Sequence, residues 1–376
     1  MSLEPATSNS SSTFSERPLV IFTNRNDLDE TMMTCLSLFG KSPASPPDGH
    51  QPVALDDQPP TVKDFLAHPY PSNGNKTQLQ GSNMATNERR MANAFAQTLI
   101  SATQGDKNAQ VTLGDMLRDG KGVAQDYQAA MDWYLKAVKQ KNVSAQCNIG
   151  DLYYFGQGVC QDYSTARTWY LKAAKQGHSE SQYNTGKIYH FGHGVRQDYK
   201  RAMTWYLKAG NQGHVRSQYS IGLLYDGGEG VPRDYVKAMD WFLKAAQQGH
   251  TNSQYSIGLL YDNGEGVPQD YAKALEWYLK AANQGHTASQ YNVGVLYKLG
   301  EGVRQNYAQA MNWFLKAAQQ GCATSQFSIG LLYSHGQGVP QDYAKAAEWF
   351  SKAADQGHDG AKGVLESLKE KGIVVN

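Results

Sequence analysis

The chain has 376 residues, 40% hydrophobic and 18% charged, with a formal net charge of +1. That is enough apolar residue to bury a core, and near-neutrality removes the electrostatic reason to expect nucleic acid or an anionic membrane as ligand. The four cysteines (Cys35, Cys147, Cys160, Cys322) show no recurring spacing, so reduced thiols are expected rather than a disulfide framework.

Residues 1–86 carry clusters of Ser, Pro, Asn and Asp and few aromatics, a composition that predicts a largely disordered region. Met1 to Ser15 lacks the basic flank and apolar run of a secretory signal. No stretch approaches the roughly 18 consecutive apolar residues of a membrane-spanning helix. A cytoplasmic protein is therefore expected, with a nuclear location also open. Two islands interrupt the region. Leu19 to Phe22 followed by Asn26 to Phe39 reads as a short strand and helix. Val62 to Tyr70 reads as a docking peptide, and either island folds on contact or lies back in the protein's own groove. Residues 87–107 are predicted to form an N-terminal capping helix, with Ala92, Ala94, Leu99 and Ala102 at helical spacing.

From residue 108 the chain is periodic. All seven tryptophans (Trp133, Trp169, Trp205, Trp241, Trp277, Trp313, Trp349) stand 36 residues apart, each with Tyr six residues before and Lys three after. The spacing sets seven units without insertion: 108–143, 144–179, 180–215, 216–251, 252–287, 288–323 and 324–359. In the second unit Ala145, Ile149, Leu152 and Tyr153 recur at helical spacing. Gly156 and Gly158 supply the reversal, and Asp162 is placed to cap a second helix. Tyr163, Ala166, Arg167, Tyr170, Ala173 and Ala174 then form one stripe. Glycines inside the first helix, from Gly114 to Gly330, lower helix propensity by about 1 kcal/mol each; close helix packing is the expected compensation. Acid–lysine pairs four apart, such as Asp132 and Lys136, mark a solvated face. His178, His214, His250, His286 and His358 follow the closing glycine and are expected to complement a helix C-terminus. Residues 360–376 read as a C-terminal capping helix and tail.

The unit resembles the Sel1-like repeat, a relative of the tetratricopeptide repeat. The fifth unit carries the match as Ser253-Gln-Tyr255, Gly258, Leu260-Tyr261, Gly264-x-Gly266-Val267-Pro-Gln-Asp270-Tyr271, Lys273-Ala274, Trp277-Tyr278, Lys280-Ala281-Ala282 and Gln284-Gly285-His286. The resemblance implies an all-α fold: a right-handed α-solenoid (α/α superhelix) of seven helix-turn-helix repeats, with first helices lining the concave side. Members are mostly adaptors that assemble other proteins. They include the lumenal subunit of an ER-associated ubiquitin ligase, fungal chitin synthase activators and bacterial cysteine-rich proteins. The chain shows neither the signal and anchor of the first nor the paired cysteines of the last. The first unit is eroded, with Leu117 in place of tyrosine and Lys141-Asn142 in place of Gly-His.

The functional expectation is a non-catalytic, monomeric scaffold, open to a role as regulatory subunit of an enzyme complex. It binds another protein and neither nucleic acid nor membrane. Hydrolase-like or secreted effector activity, as in some cysteine-rich relatives, is the alternative. Counting Ser144 as position 1, positions 1, 5, 8 and 12 of each first helix fall within about 60° on a helical wheel, opposite the core stripe. Position 5 is a ladder of short polar groups: Asn148, Asn184, Ser220, Ser256, Asn292 and Ser328. Position 8 runs from Asp115, Asp151 and Lys187 to Leu223, Leu259, Val295 and Leu331. Position 12 adds Phe155, Phe191, Leu299 and His335. The predicted partner patch is Asn148, Asp151, Phe155, Asn184, Lys187, Phe191, Leu223, Leu259, Asn292, Leu299 and His335, centred on Asn184 through Leu299; plain wetted surface is the other reading. No cofactor or metal is expected. The recurring histidines are one unit apart, and His190 and His193 lack cysteine or acidic company. The Gly-x-Gly-Val loops lack phosphate-loop spacing, and no Gly-x-Ser-x-Gly elbow occurs.

Overall fold

A computed structural model of the chain describes residues 78–370. The islands at 19–22, 26–39 and 62–70, the expected disorder of residues 1–77 and the tail 371–376 lie outside them. The described residues form sixteen helices and no strand. Helix α1 (Gln78–Thr103) leads into seven hairpins: α2 (Lys107–Asp119) with α3 (Tyr127–Lys139), α4 (Val143–Phe155) with α5 (Tyr163–Lys175), α6 (Ser179–Phe191) with α7 (Tyr199–Gly210), α8 (Val215–Gly227) with α9 (Tyr235–Gln247), α10 (Thr251–Asn263) with α11 (Tyr271–Asn283), α12 (Thr287–Leu299) with α13 (Tyr307–Gln319), and α14 (Ala323–His335) with α15 (Tyr343–Asp355). Helix α16 (Asp359–Glu370) follows them. Each helix packs chiefly on its neighbours in sequence, so the array is an α-solenoid of seven repeats.

Local chemistry sets the hairpin ends. Asp162 accepts from the Ser164 and Thr165 amides at 2.9 and 3.1 Å, satisfying donors that the helix start leaves free. Asn306 does the same for the Gln309 amide at 3.0 Å. Gly156 ends α4 in the left-handed region at φ 66°, its N–H donating to the Leu152 carbonyl. The mid-helix glycines are sites of close approach: a Cβ at Gly150 would lie 2.6 Å from the Tyr170 ring.

Adjacent hairpins cover one another. Tyr206, Ala209, Ile221 and Leu224 share one core between the third and fourth units, with Trp241 of the fourth packed against it. A fully buried aliphatic side chain such as Ile221 or Leu224 contributes roughly 1.5–3 kcal/mol. Helix α1 begins nine residues ahead of the expected 87. Its buried stripe is Phe95, Leu99 and Ala102 rather than one including Ala92 and Ala94, which are exposed. The phenyl ring anchors the register.

The tryptophan-associated lysines take a different partner from the one expected. Each ammonium lies 3.5–4.2 Å from the centroid of the Trp ring three residues before it. Among the described residues Asp132, Asp240, Glu276 and Glu348, the acids that stand four positions before four of these lysines, form no ion pair with them. A flat indole face one turn away offers cation–π attraction and stem packing together.

Candidate functional site

Much of the polar chemistry of the unit is used between hairpins. In the third unit buried Gln182 donates to the Ala174 carbonyl at the end of the previous second helix, 3.1 Å away. Its own carbonyl oxygen accepts from Gln212 at 2.7 Å. Equivalent Gln–Gln bonds occur in all seven units, from Gln140–Gln110 to Gln356–Gln326. This stitch satisfies a buried amide at both ends. Sequence reasoning gave these glutamines no role, although two Gln positions 30 residues apart in every unit were the available signal.

The recurring histidines do not act as cations at a helix C-terminus. His178, His214, His250 and His286 are the N-caps of α6, α8, α10 and α12. Each Nδ1 accepts from the amide of the serine three residues on at 3.2–3.3 Å. The serine hydroxyl lies 2.8–2.9 Å from the same nitrogen. An accepting Nδ1 is unprotonated, so the ring is neutral with its proton on Nε2. In His214 that proton faces Glu180 at 3.1 Å. His214, His250 and His286 also pack on the Tyr183, Tyr219 and Tyr255 rings of the first helix of their own unit, centroids 4.7–5.0 Å apart. Burial lowers the His178 and His250 pKa and takes His286 to about 4.

The predicted patch divides under this packing. Asn148 and Asn184 are half-buried and donate to Asp115 and Asp151 of the preceding unit at 2.8 and 3.3 Å. Ser220 and Ser328 of the same ladder are buried, and Asn292 lies beside Tyr255 and Tyr278. Position 5 is therefore an inter-hairpin seam, not a free row of hydrogen-bonding groups opposite the core. Asp151 accepts from the Tyr170 hydroxyl at 2.7 Å, and burial pushes its carboxyl up to about 6. Leu223 and Leu259 are half-buried and packed against the cores of their junctions. Lys187 is half-buried, its ammonium 5.2 Å from the Tyr154 ring centroid. A single-helix wheel omits the next hairpin, which explains these corrections.

Position 12 stays open. Phe155 is 47% and Leu299 43% exposed, His335 is exposed and Phe191 half-buried. Around Phe155 an aromatic chain crosses from the second unit to the third. Phe155 meets Tyr154 at 4.9 Å, Tyr154 meets His193 at 5.6 Å, and His193 meets Phe191 at 5.6 Å between centroids. Tyr154 also shares a 2.8 Å hydrogen bond with His193 Nδ1. His190 packs on Phe191 and Tyr199, and burial takes its pKa to about 4. Among the described residues no group of His, Cys, Asp and Glu is arranged to hold a metal ion. Cys147, Cys160 and Cys322 are free thiols. No described helix is long and apolar enough to cross a membrane.

The stacked hairpins, the glutamine stitch and the histidine caps define a helical-repeat solenoid. The family model of the Sel1 repeat matches residues 107–142, 143–178, 179–214, 215–250, 251–286, 287–322 and 323–358, and the chain belongs to the Sel1-repeat family. It is similar to the crystal structure of a protective antigen of uropathogenic Escherichia coli displaying an SLR fold. The two are 37% identical with a TM-score of 0.70, covering 74% of this chain and 60% of that one. This chain thus spans about 60% of the antigen's length. It is also similar to a Sel1 repeat protein from Oxalobacter formigenes, at 33% identity and TM-score 0.60, covering 75% of this chain and 81% of that one. No curated protein matches the chain.

Proposed function

We propose that the array is a non-catalytic scaffold that seats a protein partner on the tips of its first helices, with the Phe155–Phe191 edge as the principal contact. The observation that carries this reading is the aromatic chain from Phe155, a phenyl ring that is 47% exposed, through Tyr154 and His193 to Phe191. The fold does not require aromatic residues there: sister units hold Asp119, Gly227 and Asn263 at the same position. Exposed aromatic surface joined into one patch is the usual anchor of a protein interface. Leu299 and His335 extend the row towards the other end, and Lys187 borders it. Of the patch read from sequence, Asn148, Asp151, Asn184, Leu223, Leu259 and Asn292 support the seat from within the seam.

The test is a double substitution, Phe155→Asn with Phe191→Asn, which copies the residue of the fifth unit. A partner captured by the native chain and then purified should bind the variant at least about tenfold more weakly, as expected for loss of two anchors. The helical circular dichroism should not change. Equal affinity would show that the tips are not the seat.

A further inference from the structure

One turn region departs from its six counterparts in charge. The loop before α7 and the first turn of that helix read Arg196-Gln-Asp198-Tyr199-Lys200-Arg201. The positions of Arg196 hold Ala124, Cys160, Pro232, Pro268, Arg304 and Pro340 elsewhere. Those of Lys200 hold Gln128, Ser164, Val236, Ala272, Ala308 and Ala344. Only the third unit has both cations, so the repeat itself does not require the pair.

These side chains line a cleft of about 430 Å³ together with Tyr189 and the backbone of Gly230 from the next loop. Arg201 is held in place, its Nε 3.2 Å from Asp198 and its guanidinium 5.5 Å from the Tyr189 ring centroid. Asp198 also caps the helix by accepting from the Arg201 amide at 2.9 Å, so the helix start already has its anion. Arg196 and Lys200 are exposed and make no ion pair among the described residues. Three cations against one carboxylate give the lining residues a charge of +2, with Glu229 next to Gly230 in the chain.

We infer that this cleft binds a phosphate monoester. A dianion neutralises the +2 charge, whereas a single carboxylate leaves half of it. A planar guanidinium beside an ammonium suits tetrahedral oxyanions through charge-assisted hydrogen bonds. The cleft lies in the loop before α7, whereas the proposed seat lies on the first-helix tips, so the two stand or fall separately.

The full chain is titrated with a fluorescent decapeptide carrying one phosphoserine, with its Glu and Ser counterparts, and with inorganic phosphate as competitor. The phosphopeptide is expected to bind best, and raised salt to weaken it. Arg196→Ala with Lys200→Ala should weaken it by about tenfold or more, the scale of lost charged hydrogen bonds. The variant should keep its melting temperature, since Ala124 and Ala272 occupy these positions in sister units. Displacement by phosphate near its own dissociation constant assigns the site to free phosphate compounds. A phosphopeptide much tighter than phosphate assigns it to a phosphorylated protein. The proposal is overturned by equal binding of the Glu or Ser peptide, by unchanged affinity in the double variant, or by no binding of either phosphate probe below about 10 mM.

Discussion

The two ends of the array solve one packing problem with different chemistry. Each second helix drives an aromatic ring over the mid-helix glycine of its partner. In the first two units the ring is Tyr134 or Tyr170, and its hydroxyl donates to Asp115 or Asp151 at 2.7 Å. The same carboxylates receive Asn148 and Asn184 from the following hairpin. In the fourth, sixth and seventh units the ring is Phe242, Phe314 or Phe350, and the facing position holds Leu223, Val295 or Leu331. The fifth unit has Leu259 there yet keeps Tyr278, whose hydroxyl reaches Asp262 at 3.0 Å. In the first, second and fifth units the hydroxyl thus accompanies a carboxylate, whereas the third sets Tyr206 opposite Lys187. What costs stability is a buried hydroxyl, amide or carboxylate left without its partner.

Mixing the two solutions is the strongest way to break this comparison. Leu223→Asp places a carboxylate against Phe242 with no hydroxyl to receive it, and should lower stability by about 3 kcal/mol. Asp151→Leu strands the Tyr170 hydroxyl and the Asn184 amide and should lower it by about 2 kcal/mol. Adding Tyr170→Phe and Asn184→Ser completes the fourth unit's set and should recover most of that loss. Urea unfolding followed by circular dichroism reads all of these. A triple variant no more stable than Asp151→Leu alone would show that the triad is not a self-contained module.

The glycine beneath the ring is common to both ends, so its substitution sharpens the contrast by removing it. Alanine at Gly150 would meet the Tyr170 ring at 2.6 Å, and at Gly330 the Phe350 ring at 2.5 Å. Overpacking of about 3 kcal/mol against a helix-propensity gain of about 1 kcal/mol leaves a net loss near 2 kcal/mol at either end. The same urea unfolding assay compares the two variants. A loss confined to one end would mean that the shared frame is not equally tight throughout.

The frame was legible in the sequence because it repeats: Trp133 to Trp349, Gly114 to Gly330 and the capping Asp162 recur at fixed spacing and have one local meaning each. Groups whose meaning depends on the neighbouring hairpin were not legible. Asn184 looks solvent-facing on its own helix and becomes a seam residue only when Asp151, 33 positions back, arrives beside it. His178 stands between two helices, and its chain position suits the end of one as well as the start of the next. Ser181, three residues on, was the signal for the start. Phe155 and Leu299 were read on the open face and lie there, because the last turn of a first helix projects past its neighbours' seam.

The histidine caps give the smallest effect and the cleanest sign. Unfolded, an imidazole takes a proton near pH 6.5; folded, His286 does so only near 4. Between those values the unfolded chain binds more protons, so stability falls as pH falls. At pH 5 this amounts to at most about 2 kcal/mol for His286, and His178 and His250 act in the same direction. Asp151 and Asp226, pushed up to about 6 by burial, act oppositely, because the folded state then holds the extra proton. The pH profile of the native chain is therefore a net curve, and a variant must isolate the cap. His286→Asn retains an accepting side chain, as Asn142 does for the Ala145 amide at 3.0 Å, but cannot be protonated. At pH 7 the variant should melt lower, through loss of the stack on Tyr255. By pH 5 that gap should narrow, because only the native chain has to exclude a proton from the cap. A gap equally wide at both pH values would mean that the imidazole does not serve as a neutral acceptor, and the cap assignment would fail.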